Sequence, residues 1–319
     1  MASEELLIKA MTWQYPEEIP VSVGVLPAVL LKHGEKMADI MREYPQFFGT
    51  IKDGYSAEDH WYPQRYHVGS YTDEWGCVWE NIGEGQDAIV KGHPLPNRED
   101  ILTLKIPENR DGSIPHGFLY LRLLDLRGFE EAMTDFAEEC PELRILIDKV
   151  TEHNCIQTAV LADRPGKVLY YGDDLGMQHG LAVGPEKWRK YLKPAFKKIF
   201  GVARAAGKLV YLHTDGCIWE IIPDLFEAGT DMVNPQFRAN GLDNLARVCK
   251  GKYPINLDLD RQMFPFARPG ECADHVKRCV EALYLPQGGL GLSIEIGPDV
   301  PLPNVKALLR AADECRFYR

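Results

Sequence analysis

The 319-residue sequence lacks the features of exported, membrane-spanning and nucleic-acid-binding proteins. Its eight scattered cysteines form no Cys-x-x-Cys pair, which is typical of reduced thiols rather than of a disulfide framework. The longest charge-free apolar run, Ile19 to Leu31, is too short to span a bilayer, and the first residues are acidic where a signal peptide is basic. With 36 basic and 47 acidic residues, the net charge of −11 gives no general attraction to phosphate backbones or anionic lipids. These absences predict a soluble, cytoplasmic protein without nucleic-acid or membrane partners.

Common nucleotide-binding and hydrolase motifs are absent as well. The sequence contains no Gly-x4-Gly-Lys-[Ser/Thr], Gly-x-Gly-x-x-Gly, Gly-x-Ser-x-Gly or His-Glu-x-x-His segment. Each of these segments places a phosphate cradle, a nucleophile or a pair of metal ligands at a fixed position in the fold. Their absence argues against nucleotide-dependent, dinucleotide-dependent and serine-hydrolase chemistry.

Apolar runs and amphipathic helical patterns alternate along the chain. We predict eight strands at residues 19–26, 118–124, 156–161, 168–171, 209–212, 232–233, 254–257 and 290–294. Helices are predicted at residues 35–44, 130–139, 142–153 and 185–206, the last with a kink at Pro194. Alternation of this kind predicts parallel strands with helical crossovers, and their number favours a (β/α)8 (TIM) barrel over an open sheet. We therefore predict a single domain over residues 1–319.

The segment from about residue 53 to residue 107 interrupts this alternation. It is rich in aromatic residues, glycine and proline, and we predict an irregular N-terminal insertion of hairpins or a lid near one barrel mouth. Glu74, Trp75 and Trp79 are candidates for an apolar wall that carries one carboxylate. The alternative is that both tryptophans belong to the core.

Polar side chains follow five of the predicted strands directly. In a parallel barrel the C-terminal strand ends converge on one face, where barrel enzymes hold their active sites. Polar residues at a single strand end mean little, because loops are generally polar, but five successive ends favour a convergent acidic site. The candidate residues are Asp173, Asp174, His213, Asp215, Cys217, Asn234, Gln236, Asp258 and Glu295.

The segment from His213 to Cys217 offers an imidazole, a carboxylate and a thiol within five residues. Imidazole and thiolate are preferred zinc donors, and a catalytic zinc needs three protein ligands and an open position. We predict His213 as a ligand, with the other ligands drawn from Asp215, Cys217 and Glu295. The alternative is that His213 is an ordinary hydrogen-bonded residue at a strand end and Cys217 a core thiol.

Asp173 and Asp174 are adjacent at the end of a predicted strand. Neighbouring residues of a strand point to opposite sides. We therefore expect one of the two carboxylates to face the barrel mouth and the other to cap a loop or helix.

Seven segments together resemble the uroporphyrinogen decarboxylase superfamily over most of the chain. They are Pro20-Val-Ser-Val, Asp73–Trp79, Leu126–Glu130, Gly172–Gln178, Val210–Gly216, Ile222–Gly229 and Gly297–Val305. The resemblance implies a (β/α)8 barrel. It also implies one of two activities, which are cofactor-free decarboxylation of uroporphyrinogen and zinc-dependent methyl transfer to or from a corrinoid.

The sequence departs from both branches of this superfamily. The decarboxylases carry arginines just after the first strand, whereas Val25–Lys32 contains none, so we do not expect uroporphyrinogen to be a substrate. The methyltransferases bind zinc through His-x-Cys and a second Cys near the last strand. Here His213 matches, Asp215 stands in the Cys position, and the last strand offers Ile294 or Glu295. A site poorer in thiolate favours an oxygen-containing methyl donor, such as a methyl ether or alcohol.

The resemblance therefore implies a corrinoid-linked, zinc-dependent methyltransferase. Because no cobalamin-binding domain is evident, the cobalamin would be supplied by a separate corrinoid-binding protein; a homodimer is a further expectation. Asp173, Asp174, Asn234, Gln236, Asp258 and Glu74 are the residues that we expect to position the substrate or to transfer protons. The alternative is a lyase or hydrolase that acts on a small carbonyl, carboxylated or polyol substrate without a corrinoid.

Overall fold

The structure is a computed structural model that describes residues 3–56, 59 and 62–318. The chain divides into two units, which we call unit 1 and unit 2. Unit 1 comprises Met1–Gly69, Glu80–Ile89 and Gln236–Arg319, and unit 2 comprises Ser70–Trp79 and Val90–Pro235. The organisation as one domain stays a prediction.

Nine strands occur in the part of the chain that the structure describes. They are β1 (Val21–Val25), β2 (Gly69–Thr72), β3 (Val78–Asn81), β4 (Ile89–Gly92), β5 (Val168–Gly172), β6 (Leu209–Thr214), β7 (Met232–Pro235), β8 (Ile255–Asp258) and β9 (Leu290–Ile296).

The helices lie between and after these strands. They are α1 (Glu4–Met11), α2 (Pro27–His33), α3 (Glu35–Glu43), α4 (Pro45–Phe48), α5 (Asp100–Thr103), α6 (Tyr120–Arg127), α7 (Phe129–Glu138), α8 (Pro141–Ala162), α9 (Gly184–Lys187), α10 (Lys193–Ala205), α11 (Ile222–Ala228), α12 (Phe237–Asn240), α13 (Leu242–Cys249), α14 (Pro269–Leu283) and α15 (Leu302–Cys315). A 3₁₀ helix spans Gln64–Tyr66, and a π-helical turn spans Trp188–Leu192. Among the described helices, none combines the length and the hydropathy needed to cross a membrane.

In unit 1, β9 pairs in parallel with β1 on one side and with β8 on the other. Gly24 of β1 lies opposite Glu295, and Leu257 of β8 lies opposite Leu292. Leu257, Leu292 and Ile294 are completely buried. Parallel strands that are covered on both faces need such apolar sequences, which explains the short apolar runs in this part of the chain.

In unit 2, β6 pairs in parallel with β5 and β7. The register aligns Gly172, His213 and Asn234 in one row across the three strands. The paired strands β5 to β7 of unit 2, like β1, β8 and β9 of unit 1, are parallel and are separated along the chain by helices, as in α/β proteins.

Two of the predicted strands are helical. Residues 118–119 form a bend and residues 120–124 the first part of α6, and the side chains of Leu119, Leu123 and Leu126 are buried at helical spacing. Residues 156–161 form the last turns of α8, which is nine residues longer than predicted at its C-terminal end. Both predictions were wrong because a short apolar run does not distinguish a strand from the buried stripe of a helix.

The long helical pattern at residues 185–206 is confirmed as α9, the π-helical turn and α10. One apolar stripe of this helical region is buried, and it comprises Trp188, Leu192, Phe196, Ile199 and Ala203. The π-helical turn ends two residues before Pro194. Proline has no N–H to donate to the preceding turn, so a local change of helical hydrogen bonding at this point is expected.

The segment at residues 53–107 contains the short strands β2, β3 and β4 and little helix, in agreement with inserted hairpins. Its role as a lid stays a prediction. Residues 57, 58, 60 and 61 of this segment lie outside the described part of the chain.

Candidate functional site

Asp173 follows β5 and is fully buried. One of its carboxylate oxygens accepts a hydrogen bond from the backbone N–H of Tyr120 at 2.6 Å, and the other accepts one from Leu121 at 3.0 Å. Both N–H groups belong to the first turn of α6, where backbone donors have no partner within the helix. Burial raises the pKa of Asp173 to about 7, although the two backbone hydrogen bonds oppose this shift. Asp173 thus holds the start of α6 against β5, and its catalytic role stays a prediction.

His116 lies in the segment before α6, next to β5. Its Nε2 is 3.0 Å from Oδ2 of Asp174. A Cβ atom at position 172 would lie 2.5 Å from Nδ1 of His116, so Gly172 leaves the space that the imidazole occupies. The N–H of Gly117 donates to the carbonyl of Gly172 at 2.7 Å, which fixes this approach. Burial would lower the pKa of His116, but the hydrogen bond with Asp174 and the negative charge of its carboxylate together outweigh burial, and the pKa is raised.

His213, near the end of β6, contacts different groups with its two ring nitrogens. Its Nδ1 is 2.7 Å from Oδ1 of Asn234. Its Nε2 lies 3.2 Å from Oδ1 of Asp215 and 4.0 Å from Oδ1 of Asp174. Burial would lower the pKa of His213, but the hydrogen bond to Asp215 and the nearby negative charges raise it to about 9. The surrounding carboxylates therefore favour a positive charge at this position.

Asp174 connects the two histidines. One of its oxygens contacts His116, and the other accepts a hydrogen bond from the backbone N–H of Asp215 at 3.1 Å. Burial would raise the pKa of Asp174, but the hydrogen bond and positive charge of His116 lower it. Asp174 is therefore an ionised carboxylate at neutral pH.

Two glycines bring the loop after β5 against the loop after β6. A Cβ atom at Gly216, whose φ is +83°, would lie 2.0 Å from the carbonyl oxygen of Gly176. A Cβ atom at Gly176 would lie 2.4 Å from the backbone nitrogen of Cys217. The Gly176 N–H donates to the Asp215 carbonyl at 3.1 Å. This contact of two backbones places Asp215 beside Asp174 and explains the glycines in both sequence segments.

His116, Asp174 and His213 form a group that can hold a metal ion. One donor atom from each residue lies within 4.8 Å of the other two. The side chains are 33%, 29% and 28% exposed, so the donors can be reached from solvent. Two imidazole nitrogens and one carboxylate suit a divalent transition metal such as zinc and leave coordination positions open.

Of the predicted metal ligands, His213 belongs to this group, whereas Asp215 and Cys217 do not. Asp215 contacts Nε2 of His213. The Cys217 thiol is partly buried, and burial raises its pKa, which disfavours the thiolate form that binds metals. The ligand roles of Asp215 and Cys217 stay predictions.

Glu295 and Asp258 lie in unit 1, where both are near Arg261. The Glu295 carboxylate forms an ion pair with Nη1 of Arg261, and Nε of Arg261 is 3.7 Å from Oδ2 of Asp258. Because the Arg261 guanidinium binds the Glu295 carboxylate, it competes with a metal ion for the same oxygen. The role of Glu295 as a metal ligand stays a prediction.

Arg261 and Glu295 line a cleft of about 360 Å³ in unit 1. Leu26, Pro265 and Phe266 supply apolar lining, and the Phe266 side chain is 89% exposed. An apolar cleft with a few polar groups is the usual form of a small-molecule site.

The other unit 1 candidate, Gln236, pairs with Asp258 through a backbone bridge. Close by in sequence, Asp260 binds Nε of Arg238 through its carboxylate at 2.9 Å. The backbone N–H of Asp260 donates to Nε2 of the buried His275 at 3.1 Å. The carboxylates at the end of β8 are thus accompanied by arginines, which the expectation of an acidic site did not include.

Glu74 is exposed, and its catalytic role stays a prediction. Trp75 beside it is buried, in agreement with the alternative core assignment, whereas Trp79 is only partly buried. Nε1 of Trp79 donates to Oδ2 of Asp73 at 3.0 Å, and Asp73 forms a largely buried ion pair with Arg122 at 2.5 Å. The motif from Asp73 to Trp79 is therefore anchored within unit 2 by a salt bridge.

Sequence reasoning missed His116 and Arg261. The pattern at residues 118–124 predicts a strand, and a histidine before a strand would lie away from the C-terminal strand ends, so His116 is not among the predicted site residues. The available signal was Pro115-His-Gly117, a histidine between two helix-breaking residues directly before a helical apolar stripe. For Arg261 the signal was its position three residues after Asp258.

Residues 120–315 match the sequence model of the family described as uroporphyrinogen decarboxylase (URO-D). This match covers more than half of the chain. The chain belongs to the uroporphyrinogen decarboxylase family. This match confirms the superfamily resemblance. The matched residues include Asp174 and His213, whereas His116 lies just before them in the sequence.

A methyltransferase from Methanosarcina mazei has a similar structure, with a TM-score of 0.70 and 18% sequence identity over 100% of both chains. At this identity the likeness shows the fold. It confirms the predicted α/β class with a parallel sheet of TIM-barrel type.

Two other solved structures are less similar. A dihydropteroate synthase from Xanthomonas albilineans has a TM-score of 0.33 and 16% identity over 53% of this chain and 60% of that chain. A sugar phosphate isomerase/epimerase from Parabacteroides distasonis has a TM-score of 0.36 and 11% identity over 94% of this chain and 96% of that chain. Scores this low carry no functional conclusion. No curated protein matches the sequence of the chain.

Proposed function

We propose that this family member is a metal-dependent methyltransferase. It moves a methyl group between a small methoxylated or methylated substrate and a corrinoid supplied by a partner protein. The observation that carries the proposal is the group formed by His116, Asp174 and His213 beside the ends of β5 and β6. The fold similarity to a protein named as a methyltransferase supports methyl transfer as the reaction class.

The donor set of this group fits a divalent transition metal. It contains two imidazoles and an ionised carboxylate, whose donor atoms lie within 4.8 Å of one another. Bound there, zinc supplies a Lewis acid for the heteroatom that carries the methyl group. The set contains oxygen and nitrogen but no thiolate, which supports an oxygen-bound methyl group rather than a thioether.

The surrounding residues hold this group in place and handle protons. Asp173 fixes the segment that carries His116, and the Asp215 N–H orients the carboxylate of Asp174. Because the Asp215 carboxylate lies 3.2 Å from Nε2 of His213, it is close enough to accept a proton from a substrate hydroxyl held beside that nitrogen.

The methyl acceptor in this proposal comes from outside the chain. The thiol nearest to His213 in sequence is Cys217, and burial raises its pKa, so at neutral pH it is a poor nucleophile. A reduced corrinoid is a strong external nucleophile, and this family member would receive it from a separate carrier protein.

The test is an assay with free cob(I)alamin and a panel of methoxylated and methylated small molecules. Zinc is determined first in protein purified without chelators. We expect the absorbance of cob(I)alamin to show methylation with at least one donor. The rate should fall by more than about 100-fold in His116→Ala and His213→Ala, beyond the effect typical of outer-shell partners. Absence of methylation with every donor, together with absence of bound metal, would refute the proposal.

A lyase that acts on a small carboxylated or carbonyl substrate without a corrinoid is the second candidate. It is favoured by Arg261, which lines the cleft of unit 1 and belongs to the residue type best suited to bind carboxylates. The same substrate panel, followed by product analysis without cob(I)alamin, separates the two functions. Uroporphyrinogen is not expected to react, because Val25–Lys32 lacks arginine.

A further inference from the structure

In the row formed by Gly172, His213 and Asn234, the two strands beside His213 present different groups to it. On the β5 side, Gly172 has no side chain, and the ring of His116 occupies the free space. On the β7 side, Asn234 places its side-chain oxygen 2.7 Å from Nδ1 of His213. Asn234 is only 5% exposed. The Asn234 amide therefore contacts Nδ1 of His213, and Nε2 of the same ring lies near the carboxylates of Asp174 and Asp215.

The chemistry of the two partners determines which nitrogen can bind a cation. A carbonyl oxygen only accepts hydrogen bonds, so Nδ1 of His213 must carry the hydrogen. With Nδ1 engaged in this way, Nε2 is the nitrogen that can exchange its hydrogen for a metal ion, and it lies 4.0 Å from Oδ1 of Asp174 and 3.2 Å from Oδ1 of Asp215. In metal sites, a hydrogen bond at the second ring nitrogen fixes the tautomer and the orientation of a ligating histidine.

We propose that Asn234 is a positioning residue that holds His213 with hydrogen on Nδ1, so that Nε2 is the nitrogen that binds the metal. This inference rests on the metal site of the proposed function. It differs from the sequence-based expectation that Asn234 positions the substrate, because its side chain acts through His213.

Two substitutions separate this role from a purely structural one. Asn234→Asp keeps an oxygen that accepts a hydrogen bond from Nδ1, whereas Asn234→Leu removes it at similar volume. Asn256→Leu is the matched control, since Asn256 is also 5% exposed, lies in β8, and its Nδ2 is 3.4 Å from Oγ of Ser22. Unfolding midpoints of all variants show how much of any effect is loss of stability.

The first measurement uses cadmium as the metal, with protein isotope-labelled on the histidine ring nitrogens. NMR coupling between cadmium and nitrogen identifies the bound nitrogen of His213. We expect Nε2 in the parent, in Asn234→Asp and in Asn256→Leu. Asn234→Leu should show binding through both nitrogens and a loss of about 10- to 100-fold in affinity. Binding of Asn234→Leu through Nε2 alone, with the affinity of the parent, would overturn the inference.

The second measurement needs no metal. At pH values where the ring of His213 is neutral, nitrogen chemical shifts report where its single hydrogen lies. We expect hydrogen on Nδ1 in the parent and in the Asn256→Leu control, and a mixture of both forms in Asn234→Leu. If the parent binds neither zinc nor cadmium, the metal-dependent function fails, while this measurement still decides the role of Asn234. A parent ring with hydrogen on Nε2 would contradict that role.

Discussion

Two histidines, His213 in unit 2 and His275 in unit 1, show how local partners determine charge. Their pKa values shift in opposite directions, to about 9 for His213 and to about 4 for His275. Burial lowers the pKa in both cases. At His213 the carboxylates of Asp215 and Asp174 outweigh burial, whereas Nε2 of His275 accepts a hydrogen bond from the backbone N–H of Asp260. The carboxylate of Asp260 binds Arg238 instead.

The carboxylates of the two units also differ in the residues that they contact. In unit 2, Asp174 and Asp215 contact histidines, and in unit 1, Asp258 and Glu295 are near Arg261. A histidine can exchange its proton for a metal ion, but an arginine keeps its charge and offers no lone pair. Strand ends with equally acidic sequences therefore form a candidate metal site in one unit and fixed ion pairs in the other.

The largest expected effect concerns the metal affinity of unit 2. His213→Ala and His116→Ala should each lower zinc affinity by more than about 100-fold, because each removes a donor directly. Competition with a chromophoric chelator measures this loss. His179, exposed in the loop after β5 and outside the donor group, provides the control, and His179→Ala should bind zinc like the parent. Equal zinc affinity in His116→Ala and the parent would remove His116 from the site.

Gly172→Ala should disturb the same site without removing a donor. The new methyl group would lie 2.5 Å from Nδ1 of His116, so the imidazole must move. We expect zinc affinity to fall by about 10- to 100-fold, in the range for lost orientation of a ligand. The control is Gly24→Ala in β1, where a Cβ atom has no neighbour within 4 Å. A crystal structure of Gly172→Ala with His116 in its original position would contradict this explanation.

His275 should make the stability of the protein sensitive to acid. Its pKa in the folded state, about 4, lies below the ordinary value of 6.5, so the unfolded chain binds more protons between these pH values. The contribution is fully present above pH 6.5 and is lost as the pH falls toward 4, and it amounts to about 3 kcal/mol.

His275→Gln offers a matched test, since glutamine accepts a hydrogen bond from Asp260 but does not titrate. Denaturant titrations at several pH values should show a smaller loss of unfolding free energy in this variant than in the parent. Parallel curves for the two proteins between pH 4 and pH 6.5 would show that His275 is not the cause.

The smallest expected effect is that of Glu295→Gln in unit 1. The pair of Glu295 and Arg261 is partly exposed, with 35% and 26% of the side chains accessible, and such pairs contribute about 0–1 kcal/mol. We expect a small change in unfolding free energy and unchanged zinc affinity. A loss of zinc affinity as large as that in His213→Ala would instead establish Glu295 as a ligand.

The sequence sufficed to predict much of unit 2 because parallel strands carry their site residues at their ends. Asp174, His213 and Asn234 follow this rule, and the structure places Asn234 2.7 Å from one ring nitrogen of His213 and Asp174 4.0 Å from the other. His116 does not follow it, since it lies in an irregular segment that Gly117 and Asp173 hold against β5. Such tertiary contacts leave no periodic signal in a sequence.

The ion pair of Arg261 and Glu295 was not predictable for a similar reason. The two residues are 34 positions apart and come from different elements. Residue types at strand ends predict which charges are available. Which carboxylate meets an arginine and which meets a histidine depends on the side-chain contacts of the folded chain.

The contact between Gly176 and Gly216 has a consequence for directed evolution of this protein. Side chains around His116 and Asp174 are natural positions for a library aimed at new substrates. A side chain at either glycine would collide with the backbone of the opposite loop, so one substitution moves both loops and every group that they carry. A library that keeps these two codons fixed should therefore retain a much larger share of folded variants than one that randomises the same loops throughout.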